Sequence, residues 1–179
     1  LLFAWTPDLN KTVQITDEDM RSGYPTGDGH TVLATNDKAY KPAFRDQLYD
    51  HYAVNTSTGE KKLFLKGFTF INGSSPAGRY ALYFKDKNWW VYDIQKDTHT
   101  NLTKEIPSVF WNTRDDSPKD IKPPFGTGGW LKDDKALLVY DEFDVWKVSM
   151  DGTKPLRLTN GRENNIIFRI TRMNTEYPY

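Results

Sequence analysis

The chain has 179 residues, 24 lysines and arginines against 24 aspartates and glutamates, 6 Trp, 10 Tyr and 10 Phe, and no cysteine. A neutral balance without long runs of like charge argues against nucleic-acid binding and against a role on an anionic membrane. The missing cysteine excludes disulfides, thiol catalysis and cysteine-ligated zinc. No apolar run reaches the roughly 18 residues of a membrane-crossing helix, and the aromatic content favours half-buried strands.

In chain order, "LLFAWTPDLNKTVQITD" reads as an apolar strand, a turn and a strand ending at Ile15-Thr16. It lacks the charged and apolar regions of an intact signal peptide. "PTGDGHTVLATND" (25–37) is a tight turn leading into an apolar strand. "KAYKPAFRDQL" (38–48) carries Tyr40, Phe44 and Arg45, and "HYAVNTSTGEKKLFLK" (51–66) is strand, turn, strand. "FTFING" predicts a short strand before "SPAGRYALYF", which is followed by "WVYDI", the turn "QKDTHT" and a strand ending at Leu102-Thr103. After the long stretch 104–129, the elements return as "GW", "ALLVY", "VWKVSM" and Leu158-Thr159. "IIFRITRMN" (166–174) then reads as a further strand.

These elements repeat. Residues 75–104 align without a gap on the stretch 56 residues later: Gly78 on Asp134, Trp90 on Trp146, Tyr92 on Val148, and Leu102-Thr103 on Leu158-Thr159. A looser copy upstream aligns Gly29 with Gly78, Tyr52 with Trp90 and Leu65 with Thr103. It needs about eleven extra residues, which fall in 38–48. Repeated units of four antiparallel strands predict an all-β fold, a β-propeller made of four-stranded antiparallel blades. An ordinary β-sandwich with coincidental hairpins is the competing architecture. The expected division is the end of a blade (1–19), a blade (20–66), a blade (67–104), a long inter-blade loop (105–128), a blade (129–160) and the start of the next (161–179). Two readings of the whole stand: a slice of a larger ring, or a small ring closed by both ends of the chain. Open strand edges in a slice would favour self-association.

The acids Asp133, Asp134, Asp141, Glu142 and Asp144 invite a metal or catalytic reading. Asp133 and Asp134 fall where the matching units carry Ala77-Gly78 and Asp28-Gly29, a turn that needs positive φ or side-chain-to-backbone bonds. Asp141, Glu142 and Asp144 face Lys85, Asp86 and Asn88 in the matching unit, so a polar hairpin turn is expected there. "DEFD" also lacks the spacing and glycine of a calcium loop. His30, His51 and His99 read as solvated turn residues. "GSSPA" is not a nucleophile elbow, and "GTGGW" lacks a phosphate-binding pattern. No catalytic residue, metal ligand or cofactor site is therefore expected. Asn10, Asn55, Asn72 and Asn101 begin N-x-S/T sequons that turn-rich sequence produces by chance.

The irregular stretch "KEIPSVFWNTRDDSPKDIKPPFGTGG" (104–129) is the first candidate for binding, through Phe110, Trp111, Arg114, Asp115 and Asp116. A loop packed on its neighbours, with Trp111 as anchor, is the equal alternative. The insertion with Tyr40, Phe44 and Arg45 is the second candidate.

"SPAGRYALYF…WWVYDIQKDTHTNLTK", "FWNTRDD" and "GWLKDDKALLVYDEFDVWKVSMDGTKPLRLTNGREN" together resemble the N-terminal β-propeller of prolyl oligopeptidase-type serine peptidases, Bacteroidetes members above all. They are also similar to TolB-like and WD40-like propeller repeats. The resemblance covers residues 70–170 well and 1–69 loosely. It implies a propeller that gates and selects peptide substrates for a C-terminal α/β-hydrolase domain, in a periplasmic, secreted or cell-surface setting. That family's catalytic residues lie in the hydrolase domain, so none is carried over to this chain. A free-standing TolB-like propeller binding a protein or glycan partner is the alternative.

Overall fold

The computed structural model describes residues 1–44, 46–69, 71–118 and 122–171. The turns come first, because they set the register of everything else. Gly29, Gly78 and Asp134 occupy one position of the repeat and have φ of 71°, 78° and 53°. Only glycine, or an Asp or Asn that bonds locally, adopts that backbone readily. Each turn feeds an apolar strand, and the sheets follow.

β1 (Phe3–Thr6) pairs antiparallel with β2 (Lys11–Gln14) as a two-stranded sheet. β3 (Ser22–Pro25), β4 (Thr31–Asn36), β5 (Tyr49–Asn55) and β6 (Lys61–Phe68) form a four-stranded meander in that order. β7 (Tyr80–Lys85), β8 (Asn88–Asp93) and β9 (Thr98–Asn101) form three strands. β10 (Thr127–Trp130), β11 (Ala136–Tyr140), β12 (Val145–Ser149) and β13 (Leu156–Arg157) form a second four-stranded meander. The chain is thus all-β, built from successive antiparallel meanders of the kind that make propeller blades. One short helix, α1 (Gly161–Asn164), follows. Among the described residues no helix is long and apolar enough to cross a membrane.

Backbone bonds reproduce the repeat register. Thr56 N–H bonds to His30 C=O, Ile94 N–H to Arg79 C=O and Met150 N–H to Lys135 C=O, each at 3.0 Å. A second bond marks the start of the third strand of a sheet. There the N–H of Leu2, Trp89 or Val145 donates to the hydroxyl of Thr16, Thr103 or Thr159 at 2.6, 3.0 and 3.1 Å, fourteen residues away in every case. The preceding residue closes the hairpin back: Ile15, Leu102 and Leu158 N–H donate to the carbonyls of Leu2, Trp89 and Val145. This threonine clasp is the physical content of the recurring Ile-Thr and Leu-Thr pairs.

The β3–β6 sheet departs from the pattern. His51 is paired with Leu65, which has no hydroxyl. The histidine is buried at 2% exposure, its Nε2 lies 3.2 Å from the Phe68 carbonyl, and Tyr49, Phe64 and Phe68 surround the ring. The expected solvated turn histidine is therefore a core residue of β5. His99 likewise sits in a strand, β9, with Nδ1 2.7 Å from the Tyr83 hydroxyl, whereas His30 is exposed in a turn. Bulges on either side of His51 let β6 run on until Phe68 pairs with Tyr49. β6 thereby takes residues 67 and 68, which were expected to open the next blade. That blade's first strand shrinks to a bridge between Ser74 and Ala81. The strand expected at 166–174 is also absent over its described part, 166–171. There Phe168 N–H bonds to the Phe143 carbonyl and Ile170 N–H to the Tyr140 hydroxyl, with no ladder. Residues 172–174 lie outside the described residues.

The chain divides into two units, Leu1–Ala81 with Tyr92–Thr98, and Leu82–Val91 with His99–Tyr179. In the first, Val13, Ile15, Met20, Val32, Ala34 and Val54 make a continuous core, against which Leu2 and Ala4 pack. Further along the same unit, Phe64 stacks on Tyr92 with ring centroids 4.6 Å apart and planes 7° from parallel. Its tight turns also touch: a Cβ on Gly27 would meet the Pro76 carbonyl oxygen at 1.9 Å, which only glycine avoids. In the second unit Trp89 packs edge-on against Phe84, and Leu137, Val139 and Val148 are fully buried.

Two outcomes follow for stability. Thr103→Val orphans the buried Trp89 N–H and should cost about 1–3 kcal/mol in urea unfolding, Thr16→Val should cost less because the Leu2 N–H is only partly buried, and Thr98→Val on exposed β9 should be near neutral. Burial holds the His51 pKa below 6.5, against the smaller opposing pulls of the Phe68 carbonyl and Asp50. Its contribution to stability is complete above pH 6.5 and is lost as the pH falls through the folded-state value. Melting at pH 7.5 and 5.5 should show a larger drop for the wild type than for His51→Phe.

Candidate functional site

The long segment that leads from Thr103 to β10 forms an arm on the second unit. Its root is fixed first: the Asn101 side chain accepts from the N–H groups of Thr103 and Lys104, and Ile106 is buried. The stem then pairs with itself. Phe125 N–H donates to the Phe110 carbonyl at 2.9 Å, Asn112 N–H to the Pro123 carbonyl at 2.8 Å, and Trp111 bridges Pro124. Prolines 123 and 124 suit this geometry because the stem uses the Pro123 carbonyl and needs an N–H from neither position.

Of the residues expected to bind, Phe110 is 1% exposed and serves as the anchor of the arm. Trp111 is half-buried, with the Lys87 ammonium 4.7 Å above its ring. Arg114 reaches Glu142 at 2.6 Å while remaining largely exposed. Asp115 is turned inward, accepting from the N–H and hydroxyl of Ser117, with Lys122 at 3.8 Å. Asp116 is exposed. The structure thus gathers Trp111, Arg114, Asp115 and Asp116 on one arm, with Lys87 and Glu142 as partners that sequence spacing did not single out.

Beneath the arm lie two buried carboxylates, Asp141 and Asp144, at 1% and 0% exposure. Both perform the expected turn chemistry, but neither is solvated. Asp141 accepts from the N–H groups of Phe143 and Asp144, from the Ser108 hydroxyl at 2.5 Å and from the Trp146 indole at 2.9 Å. Arg162 lies 3.5 Å away. Asp144 accepts from the Thr159 hydroxyl, the Gly161 and Arg162 N–H groups and the Arg157 guanidinium, the last at 2.5 Å. Arg157 also holds Glu163. Burial alone would raise both aspartate pKa values. Hydrogen bonds from Ser108 to Asp141 and from Thr159 to Asp144, joined by the backbone donors, outweigh it and keep both carboxyls below the usual range. With their lone pairs committed to donors, these acids are structural. Among the described residues, no group of three or more His, Cys, Asp or Glu side chains is placed to hold a metal ion.

The second candidate segment lies on the first unit. Tyr40 closes a short 3₁₀ turn, Lys38–Tyr40, and donates its hydroxyl to Asp50 at 2.5 Å. Asp50 also accepts from Gly67 N–H, as Asp144 does from Gly161 N–H, seventeen residues on in both sheets. Tyr40 therefore supplies the hydroxyl that Leu65 lacks. Phe44 is 91% exposed, and Arg45 lies outside the described residues. Beside this segment a cleft of about 320 Å³ is lined by Glu18, Asp19, Arg21, Asp37, Lys38 and Lys41. Lys38 pairs with Asp19 and Lys41 with Asp37, so the cleft is polar without a dominant sign.

Asp144→Ala should destabilise the protein by roughly 2–4 kcal/mol, because the Thr159 hydroxyl and two N–H groups lose their acceptor while Arg157 keeps only Glu163. Glu142→Ala, which breaks only the exposed pair with Arg114, should cost under about 1 kcal/mol. Chemical denaturation of the two variants measures the contrast.

No protein-family model matches the sequence, and no curated protein matches it. Among solved structures the chain is similar to oligogalacturonate lyase from Vibrio parahaemolyticus, at 15% identity and a TM-score of 0.49, over 88% of this chain. The match spans 46% of that protein, less than half its length.

Proposed function

We propose that the chain is a non-catalytic β-propeller segment that gates and selects peptide substrates for an α/β-hydrolase domain of the same protein, in an exported setting. The observation that carries this reading is the arm: its root and stem are held by buried groups, while Arg114 and Asp116 remain at the surface. A polar tip mounted on a buried root suits selection, since it presents charge at a fixed place on the surface. The resemblance of residues 111–165 to peptidase propellers supplies the substrate class.

The product of the complete reading frame tests it. A peptide series of increasing length should show kcat/KM for long peptides changed at least ~5-fold by the pair Arg114→Ala and Asp116→Ala, with dipeptidyl chromogenic substrates unaffected. The 179-residue chain alone should turn over neither. A reading frame without a G-x-S-x-G segment and its Asp and His partners overturns the proposal, as does hydrolysis by the isolated chain.

A further inference from the structure

The threonines that close the sheets commit their hydroxyls to the backbone. At one end of the β3–β6 sheet the polar side chains are left uncommitted. The cleft of about 320 Å³ lies there, where β3 begins, β4 finishes and β5 begins. Every residue that lines it falls within 18–49, inside the first unit. The volume suits a small organic molecule. Thr35 and Tyr49 are half-buried in it, and Glu18, Arg21 and Ser22 are exposed around them.

Both walls are held in place. On one side the Asp17 carboxylate accepts from the N–H groups of Asp19 and Met20 at 3.0 and 2.8 Å, and Met20 is buried. The resulting turn presents Glu18 and Arg21. Arg21 Nε donates to the Glu18 carbonyl at 2.9 Å. On the other side Thr35 pairs with buried His51 across β4 and β5, and the Tyr49 ring lies edge-on to the His51 ring with centroids 6.0 Å apart.

The charges of the lining balance. Lys38 pairs with Asp19 and Lys41 with Asp37, which leaves one cation, Arg21, and one anion, Glu18. Among the described residues, the Glu18 carboxylate and the two terminal nitrogens of Arg21 have no partner. The hydroxyls of Ser22, Thr35 and Tyr49 have none either. A ligand of a single sign gains no net attraction from such a lining, and an uncharged one leaves both free charges unmatched. A ligand that carries one carboxylate and one ammonium matches both, and a guanidinium with two free N–H edges suits a carboxylate in particular.

We propose that this cleft binds a small zwitterion, an amino acid or a short peptide with both ends free. Arg21 takes the carboxylate through its terminal nitrogens, Glu18 takes the ammonium, and the hydroxyls of Ser22, Thr35 and Tyr49 serve the polar atoms between. This inference does not depend on the peptidase reading, and its failure would leave that reading untouched.

Titration of the 179-residue chain with L-alanine and with Ala-Ala, followed by amide NMR shifts, tests it. At least one probe should saturate, with shifts centred on residues 18–22, 35–41 and 49. Tighter binding of alanine marks a site for free amino acids, and tighter binding of Ala-Ala a site for peptides. Amidating the carboxyl end or acetylating the amino end should each weaken binding at least ~10-fold, as should Arg21→Ala and Glu18→Gln with the uncapped probe. Arg21→Ala should change nothing further for the amidated probe, nor Glu18→Gln for the acetylated one, a pattern that a merely structural role would not produce. Absence of saturation by both probes in the millimolar range overturns the proposal. So does equal binding of the doubly capped peptide, or binding of maltose as tight as that of either probe, since the cleft would then read hydroxyls and not charge. The comparison of capped and free probes uses the wild type alone, so it holds whether or not the variants fold.

Discussion

Every sheet here depends on what happens to one backbone N–H at the start of its third strand. In three sheets a threonine hydroxyl fourteen residues later accepts from it, and in two of them that hydroxyl in turn donates a hydrogen bond to the Asn88 or Asp144 side chain. In those two sheets the hydroxyl serves once as acceptor and once as donor. It also fixes register. Sliding the fourth strand by one residue would put the hydroxyl on the other face of the sheet, away from the amide. The β3–β6 sheet meets the same constraint differently. With Leu65 in the threonine position, Asp50 takes its hydroxyl from Tyr40, and His51 turns its ring to the Phe68 carbonyl.

The arm inherits its position from this arrangement. Asp141 and Asp144 flank one hairpin turn, and their remaining lone pairs reach outward to Ser108 in the arm, to Arg157 in β13 and to Gly161 just after it. Two desolvated carboxylates thus tie three separated stretches of chain together. Such a junction resists distortion because a displacement of either carboxylate would weaken several bonds to a buried charge at once. The surface groups above it, Arg114 and Lys87 among them, make exposed contacts of small energetic weight. They leave charge at the surface, and the buried network determines where.

Much of this was legible in the sequence. The offset of 56 residues corresponds to hydrogen bonds between equivalent atoms, and the positive-φ turns at Gly29, Gly78 and Asp134 fall where Gly and Asp alternate. Strand count was less legible. "FTFING" has the composition of a strand, but β6 had already taken Phe68 through the bulges at His51, a tertiary effect with no local signal. The histidines were misread for a related reason: a ring beside a turn in sequence gives no measure of the aromatic residues that other strands bring around it. Asp144 could have been found, since Asp50, Asn88 and Asp144 share one repeat position and each accepts from a hydroxyl. The pairing of Arg114 with Glu142 could not, because it depends on how a long arm folds back over a hairpin.

The fourteen-residue closure also says where the chain can change length. The two long connections, 38–48 and 104–126, both fall outside the hairpins that the clasps close, one between second and third strands and one between sheets. Inside a closed hairpin an extra residue would move the hydroxyl off its amide. Outside it, a lengthened connection meets only the slowly rising entropy of a longer loop. Length variation in such a chain is therefore confined to connections that project beyond the closed hairpins, where a new segment can acquire partners of its own, as Tyr40 and Ser108 have.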